Sequence, residues 1–345
     1  MAVTLTGTAP ETAAAVPEYP MRRDARCPLA PPPAVHGLRD GKPISRVRIW
    51  NGATPWLITR HADQRALLTD PRVSDDDLES GFPSVNAHRA EIAPHTPRLI
   101  TNTDAPEHTR LRRTVNAPFL VKRIEAMRAP VQKIVDELID DMPAGPNPAD
   151  LLTALALPVP SLVIAELLGV PYEDHDFFQR NSGIALDSAA SPQEAREASG
   201  ALAACLDELI GLKLENSGEG VLSEIAGRVT AGEMSRTEAV HMGVAMLIAG
   251  HETTATMIIF GTLALLQHPD QLALVRYMDD PKAIAGAVDE LLRYLTIVQT
   301  GVRRVAKADI EIGGITVRPQ AQFITGTDLL VDGGQAAWVR RHMRH

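Results

Sequence analysis

A run of apolar residues from Thr237 to Gln267, stopped by His268-Pro269, constrains this chain more than any other stretch. Its spacing predicts one long helix, ended where proline lacks a backbone donor and restricts the residue before it. Around residues 242–266 it approaches the length and hydropathy of a membrane span. His251, Glu252, Thr253, Thr254 and Thr256 sit at its middle, however, and a charge at that depth costs about 2.5–3.5 kcal/mol. The segment therefore reads as the buried helix of a soluble protein, with no membrane partner. With 345 residues, 45% of them hydrophobic, the chain can bury such a helix in one large domain or two ordinary ones. The net charge of −9 argues against nucleic acid as a partner.

Two cysteines, Cys27 and Cys205, exclude a disulfide framework and a cysteine-cluster metal site, and suit a reducing cytoplasm. Residues 1–33, rich in alanine and proline, carry no apolar core of secretory type and read as a flexible arm. Short strands are expected at Val47–Ile49 and Trp56–Thr59 around the turn-like Asn51-Gly52. Helices are expected over His61–Thr69, Thr109–Asn116, Val121–Asp141, Leu151–Leu168, Pro192–Glu215 and Pro281–Leu295. Ser74–Pro97 has no periodicity and reads as a long irregular segment of the kind that forms lids and binding loops. Arg304–Val317 alternates like strands around Gly313-Gly314. The expected fold class is mainly α with small β-sheets.

The polar break in the long helix is the candidate site. Ala249-Gly250-His251-Glu252-Thr253-Thr254 places an acid and two hydroxyls where each buried polar group must find a partner. Threonine can bond back to the carbonyl four residues earlier, which is a purely structural use. Ala249 and Thr253 share a helix face, and small residues at 249 and 250 admit a close neighbour. A zinc-hydrolase helix needs a second histidine four residues after the first. Ala255 stands there instead of His, which disfavours that alternative.

The stretch AGHETT resembles the oxygen-binding helix of the cytochrome P450 family, heme-thiolate monooxygenases, in their soluble bacterial form. Three further segments are similar to that family in the same order. Asp104–Arg113 resembles the segment opening its C helix, Glu290-Leu291-Leu292-Arg293 its E-x-x-R pair, and Arg304–Gly314 the strand that follows. As a bare motif E-x-x-R is weak: the spacing recurs at Glu107/Arg110, Glu125/Arg128 and Glu233/Arg236. The resemblance implies a P450 fold and a heme cofactor. It places Ala249 and Gly250 on the heme face, makes Glu252 and Thr253 the proton-delivering acid–alcohol pair, and gives the propionates to His108, Arg112 and Arg304. Glu290 and Arg293 become a structural ion pair. It further implies that Ser74–Ile100 and Ile297–Val302 line the pocket of a small apolar organic substrate. One oxygen atom from O2 would be inserted, with electrons from a ferredoxin and an NAD(P)H-dependent ferredoxin reductase.

The resemblance stops near Ala321. The family holds iron through a cysteine thiolate in a later glycine-rich loop, and no cysteine lies beyond Cys205. The expectation is thus a truncated P450 domain at 34–321, lacking the heme-ligand loop and proximal helix, with no axial metal ligand. Residues 322–345, with Phe323–Gly334, resemble the last strand and turn of a short-chain dehydrogenase, without its G-x-G-x-x-G or Y-x-x-x-K. Such a chain is expected to bind heme weakly or not at all and to be inactive alone. A further alternative is a non-catalytic helical remnant that binds an apolar ligand or a partner.

Overall fold

The computed structural model describes residues 16–84, 86–170, 174–186, 190–298 and 301–325. Its helices are α1 (Pro33–Gly41), α2 (His61–Leu68), α3 (Ala87–Ile92), α4 (Glu107–Val115), α5 (Val121–Ala126), α6 (Arg128–Asp141) and α7 (Pro158–Leu168). They continue as α8 (His175–Leu186), α9 (Pro192–Glu215), α10 (Val221–Thr230), α11 (Arg236–Gln267), α12 (Pro269–Arg276) and α13 (Pro281–Tyr294). The strands are β1 (Ile44–Arg46), β2 (Trp56–Ile58), β3 (Val73–Ser74), β4 (Arg303–Ala306), β5 (Ile310–Ile312), β6 (Ile315–Val317) and β7 (Gln322–Thr325).

The long apolar run forms α11, and its start is chemically marked. The Ser235 side chain accepts from the Glu238 amide while the Glu238 carboxylate accepts from the Ser235 amide, satisfying two donors that helix ends leave orphaned. The same device, Ser191 with Glu194, starts α9. On α9, Leu202, Leu206, Leu209 and Ile210 recur at helical spacing and bury against α10 and α11 together with Leu222, Ile225, Met242 and Leu247. Each such side chain contributes about 1.5–3 kcal/mol by leaving water. Gly243 permits the contact, since a β-carbon there would lie 3.0 Å from Leu206 and 3.2 Å from Leu222. Helix α7 ends at Gly169 in the left-handed region (φ 73°), and a β-carbon there would lie 2.6 Å from the Glu219 carbonyl.

The larger sheet has the order β1-β2-β7-β4-β3. Strand β7 is its hinge: parallel to β2 on one side, with Leu57 opposite Ile324, and antiparallel to β4 on the other, with Arg304 opposite Phe323. Its side chains alternate into two separate cores. Phe323 joins Ile44, Ile58 and Leu67, while Ile324 joins Tyr19, Val47 and Leu57. The boundary expected at 321 therefore falls one residue before a fully built-in strand. Backbone pairing and alternate burial carry the domain at least to Thr325. The rest of the dehydrogenase-like stretch, from 326 on, lies outside the described residues.

The arm also differs from expectation where it is described. From residue 16 it is fastened: the Tyr19 amide donates to the Arg48 carbonyl at 2.7 Å, and the Arg48 amide donates to the Pro17 carbonyl at 2.8 Å. The Arg23 guanidinium donates to the Thr296 carbonyl, and Leu29 packs with Ala264 and Leu295. That contact takes up the backbone around 48, so the expected strand over 47–49 appears as a bridge while β1 starts earlier. Helix α8 was not expected. Its Asn181, Ser182 and Gly183 are poor helix formers, and burial of Phe178 against the core overrides them. Helix α3 interrupts the supposedly irregular 74–97, capped by the Asn86 side chain accepting from the Arg89 amide.

Candidate functional site

Mid-way along α11 the helix has two different sides. His251 is 2% exposed and Ala255 also buried, whereas Ala249 and Thr253 are exposed. The Thr253 hydroxyl donates to the Ala249 carbonyl at 2.7 Å, and that of Thr256 donates to the Glu252 carbonyl at 2.8 Å. Such back-bonding satisfies each hydroxyl's proton and leaves its oxygen free to accept. Glu252 is half-buried between these sides. Its Oε1 lies 3.6 Å from His251 Nδ1 and close to Gly183 of α8, where a β-carbon would sit 3.6 Å from it. Burial holds the His251 imidazole below its ordinary pKa, with the Glu252 charge opposing more weakly. His251 Nε2 is buried without a partner among the described residues.

Gly250 has a packed neighbour: Ile164 of α7, whose Cδ1 would lie 3.0 Å from a β-carbon at 250. Ala249 and Thr253 are exposed positions of this stretch.

The expected cations fall into two groups. His108 and Arg112 lie one turn apart on α4, half-buried and exposed respectively. Arg110, on the same helix, is engaged by Glu107 and Glu238. Arg304 on β4 is engaged as well, donating through Nη1 to Asp75 at 2.5 Å and to the Arg303 carbonyl at 2.7 Å. Burial pushes the Asp75 carboxyl up to about 6, with Arg304 opposing and Asp104 adding to the shift. The structure thus gives Arg304 a protein carboxylate rather than joining it to His108 or Arg112.

Glu290 and Arg293 form the expected pair within α13, at 2.5 and 2.6 Å. Glu107–Arg110 and Glu125–Arg128 pair likewise, but Arg236 turns to Asp207 and Glu233 to Arg228. Spacing alone is therefore a permissive signal, since tertiary neighbours compete for each charge.

The irregular segment and the stretch before β4 do come together. They enclose a cavity of about 390 Å³ whose walls include Phe82, Leu99, Val302 and Arg303. Arg303 was missed at the sequence level. Its neighbour Arg304 lines the same cavity, so the pair of adjacent arginines was the available signal.

Whether these residues suit a heme can be tested on their chemistry. An open small-residue face with an accepting hydroxyl suits a planar group, and the half-buried His108 and exposed Arg112 of α4 are cations of the kind that pair with carboxylates. The cysteines do not suit its iron. Cys27 is exposed in a turn of the arm. Cys205 packs partly against the core of α9, where burial, Asp174 and Glu208 push its thiol up, away from the thiolate a metal needs.

Comparison with known proteins extends the argument. No family model matches the chain. Over 302 residues it is 54% identical to cytochrome P450 GfsF of Streptomyces halstedii, covering 88% of this chain and 73% of that protein. Over 338 residues it is 50% identical to cytochrome P450 CYP105Q4 of Mycobacterium marinum, covering 98% and 80%. The crystal structure of GfsF superposes with a TM-score of 0.85 at 51% identity, covering 91% of this chain and 78% of that one. The mycinamicin VIII C21 methyl hydroxylase of Micromonospora griseorubida, solved with mycinamicin VIII bound, gives 0.83 at 35% identity, covering 96% and 84%. With the fold, the ordered motifs and this degree of identity in agreement, the chain belongs to the cytochrome P450 family of heme-dependent monooxygenases.

Proposed function

We propose that residues 34–325 supply the oxygen-facing and substrate-facing side of a P450 site acting on a small apolar organic molecule in the cytoplasm. Electrons would come from NAD(P)H through a ferredoxin reductase and a ferredoxin. When bound, heme supplies the one-electron and O2 chemistry. Ala249 leaves room on the helix face, and the Thr253 hydroxyl, its proton held by the Ala249 carbonyl, offers an oxygen that accepts a hydrogen bond. Glu252, one residue away and half-buried, is the carboxylate that exchanges protons with water near that hydroxyl. His108 and Arg112 hold carboxylates of the cofactor, Arg304 joins them through the guanidinium nitrogens that Asp75 does not take, and Glu290–Arg293 stiffens α13. The open Ala249–Thr253 face beside Glu252 is the observation that carries this reading.

The positions of Cys27 and Cys205 lead to a second statement: these 345 residues alone form no thiolate-ligated heme, and hydroxylation by them alone is not expected. Reduction of the heme-loaded chain under carbon monoxide tests it, and a Soret band of the thiolate-ligated type would sink it. The cavity favours one alternative, a non-catalytic ligand-binding remnant. That protein would gain thermal stability from an apolar ligand without any heme spectrum.

A further inference from the structure

The cavity between the 75–102 segment and β4 holds a charge problem that the P450 reading leaves unsolved. Two of its acids already have cations: Arg304 takes Asp75, while Asp77 accepts from Asn102 at 3.1 Å and has Arg98 at 3.5 Å. Arg303 faces the same space without such a partner. It makes no side-chain hydrogen bond or ion pair among the described residues, its Nε is buried and unsatisfied, and its guanidinium stands 5.8 Å from the Phe82 ring centroid. Arg89 of α3 also lines the cavity and forms no ion pair among the described residues. Cross-strand pairing explains why Arg303 is stranded. Opposite Ile324, it shares the face of Tyr19, whereas Arg304 lies opposite Phe323. Gly301 lets the chain pass there, since a β-carbon at 301 would lie 2.1 Å from the Thr325 carbonyl.

A half-buried guanidinium with an unpaired N–H gains from a partner that satisfies it. Its planar fork fits a carboxylate. Phe82, Leu99 and Val302 give the wall an apolar part, and about 390 Å³ is within the range of small-molecule pockets. Asp75 and Asp77 nearby repel a dianion more than a monoanion, which favours a carboxylate over a phosphate. We propose that Arg303, assisted by Arg89, recognises the carboxylate of the substrate, so that this pocket takes an amphiphilic carboxylic acid with an apolar body. This rests on the pocket being the substrate site of the P450 reading. It is distinct from the cofactor's own carboxylates, which that reading gives to His108, Arg112 and Arg304.

The test is calorimetric titration of the purified full chain, without added heme, with decanoate and with decan-1-ol. Decanoate should bind roughly tenfold tighter or better. Arg303→Gln should remove that preference and leave decanol binding unchanged, and Arg303→Lys should restore part of it. Arg89→Gln, on an exposed short helix, should lower it less and guards against misfolding of the first variant. Equal affinity for the two probes, no decanoate binding at about 1 mM, or a preference untouched by Arg303→Gln would overturn the proposal. So would weaker hemin uptake by Arg303→Gln with decanoate binding unchanged, because Arg303 would then serve the cofactor. Binding is read without turnover, so failure of the monooxygenase reading shows separately, in the carbon monoxide spectrum.

Discussion

The two sides of α11 obey different rules. Toward α9 and α10, Met242 and Leu247 are each 1% exposed, and glycine at 243 lets leucines interlock. On the other side Ala249 and Thr253 are open. The apolar row Ile284, Val288 and Leu292 on α13, at i, i+4 and i+8, is 44%, 49% and 55% exposed. Within the described residues, the first side is closely packed, while the second presents surface of the kind that ligands and partners cover. Stability should therefore be concentrated on one side and chemistry on the other.

Mutations can break or sharpen that contrast. Leu206→Ala, in the closed side, should cost about 2–5 kcal/mol in urea unfolding; a cost under about 1 kcal/mol would show that the core relaxes around the gap. Gly250→Val should cost about 1–3 kcal/mol by pressing on Ile164, and a neutral result would show that Ile164 gives way. The pH profile comes next. Asp75 is raised to about 6 from its ordinary 3.8, so the folded state binds its proton more tightly than the unfolded one. Its contribution should make the protein more stable as pH falls through about 6 toward 4. Asp75→Asn should remove that component of the profile, and superimposable profiles would refute the assignment. Thr253→Ala should be the mildest, within about 0.5 kcal/mol, because the hydroxyl bonds locally, to the Ala249 carbonyl, on an exposed face. A larger loss would make Thr253 part of the packing.

Legibility in the sequence followed the same divide. Helices α9 and α11 could be read to within about one residue, because capping serines, proline stops and apolar spacing agree there. Helix α8 could not, since its polar middle is helical only through contacts made elsewhere in the chain. Ala249, Glu252 and Thr253 stood out as polar or small residues in an apolar run, whereas the packing role of Gly250 depends on Ile164, 86 positions away in sequence and visible only in space. Arg303 was hidden because a strand's two faces are told apart only once its neighbour's register is known. Strand β7 was hidden by the end of the family resemblance, although Phe323 and Ile324 are as buried as any core residue.

The position of β7 also sets a schedule for the ribosome. Its partner β2 is made 267 residues earlier, and the arm's Arg23 meets Thr296 across 273 residues. At about 5–20 residues per second, the β1–β2 hairpin waits roughly 15–50 s with its open edge unpaired before β7 emerges. During that interval the hairpin is a bare edge able to recruit another strand. Among the described strands, the edge left waiting longest is therefore that of β2, and β7, the last of them to be made, is what covers it.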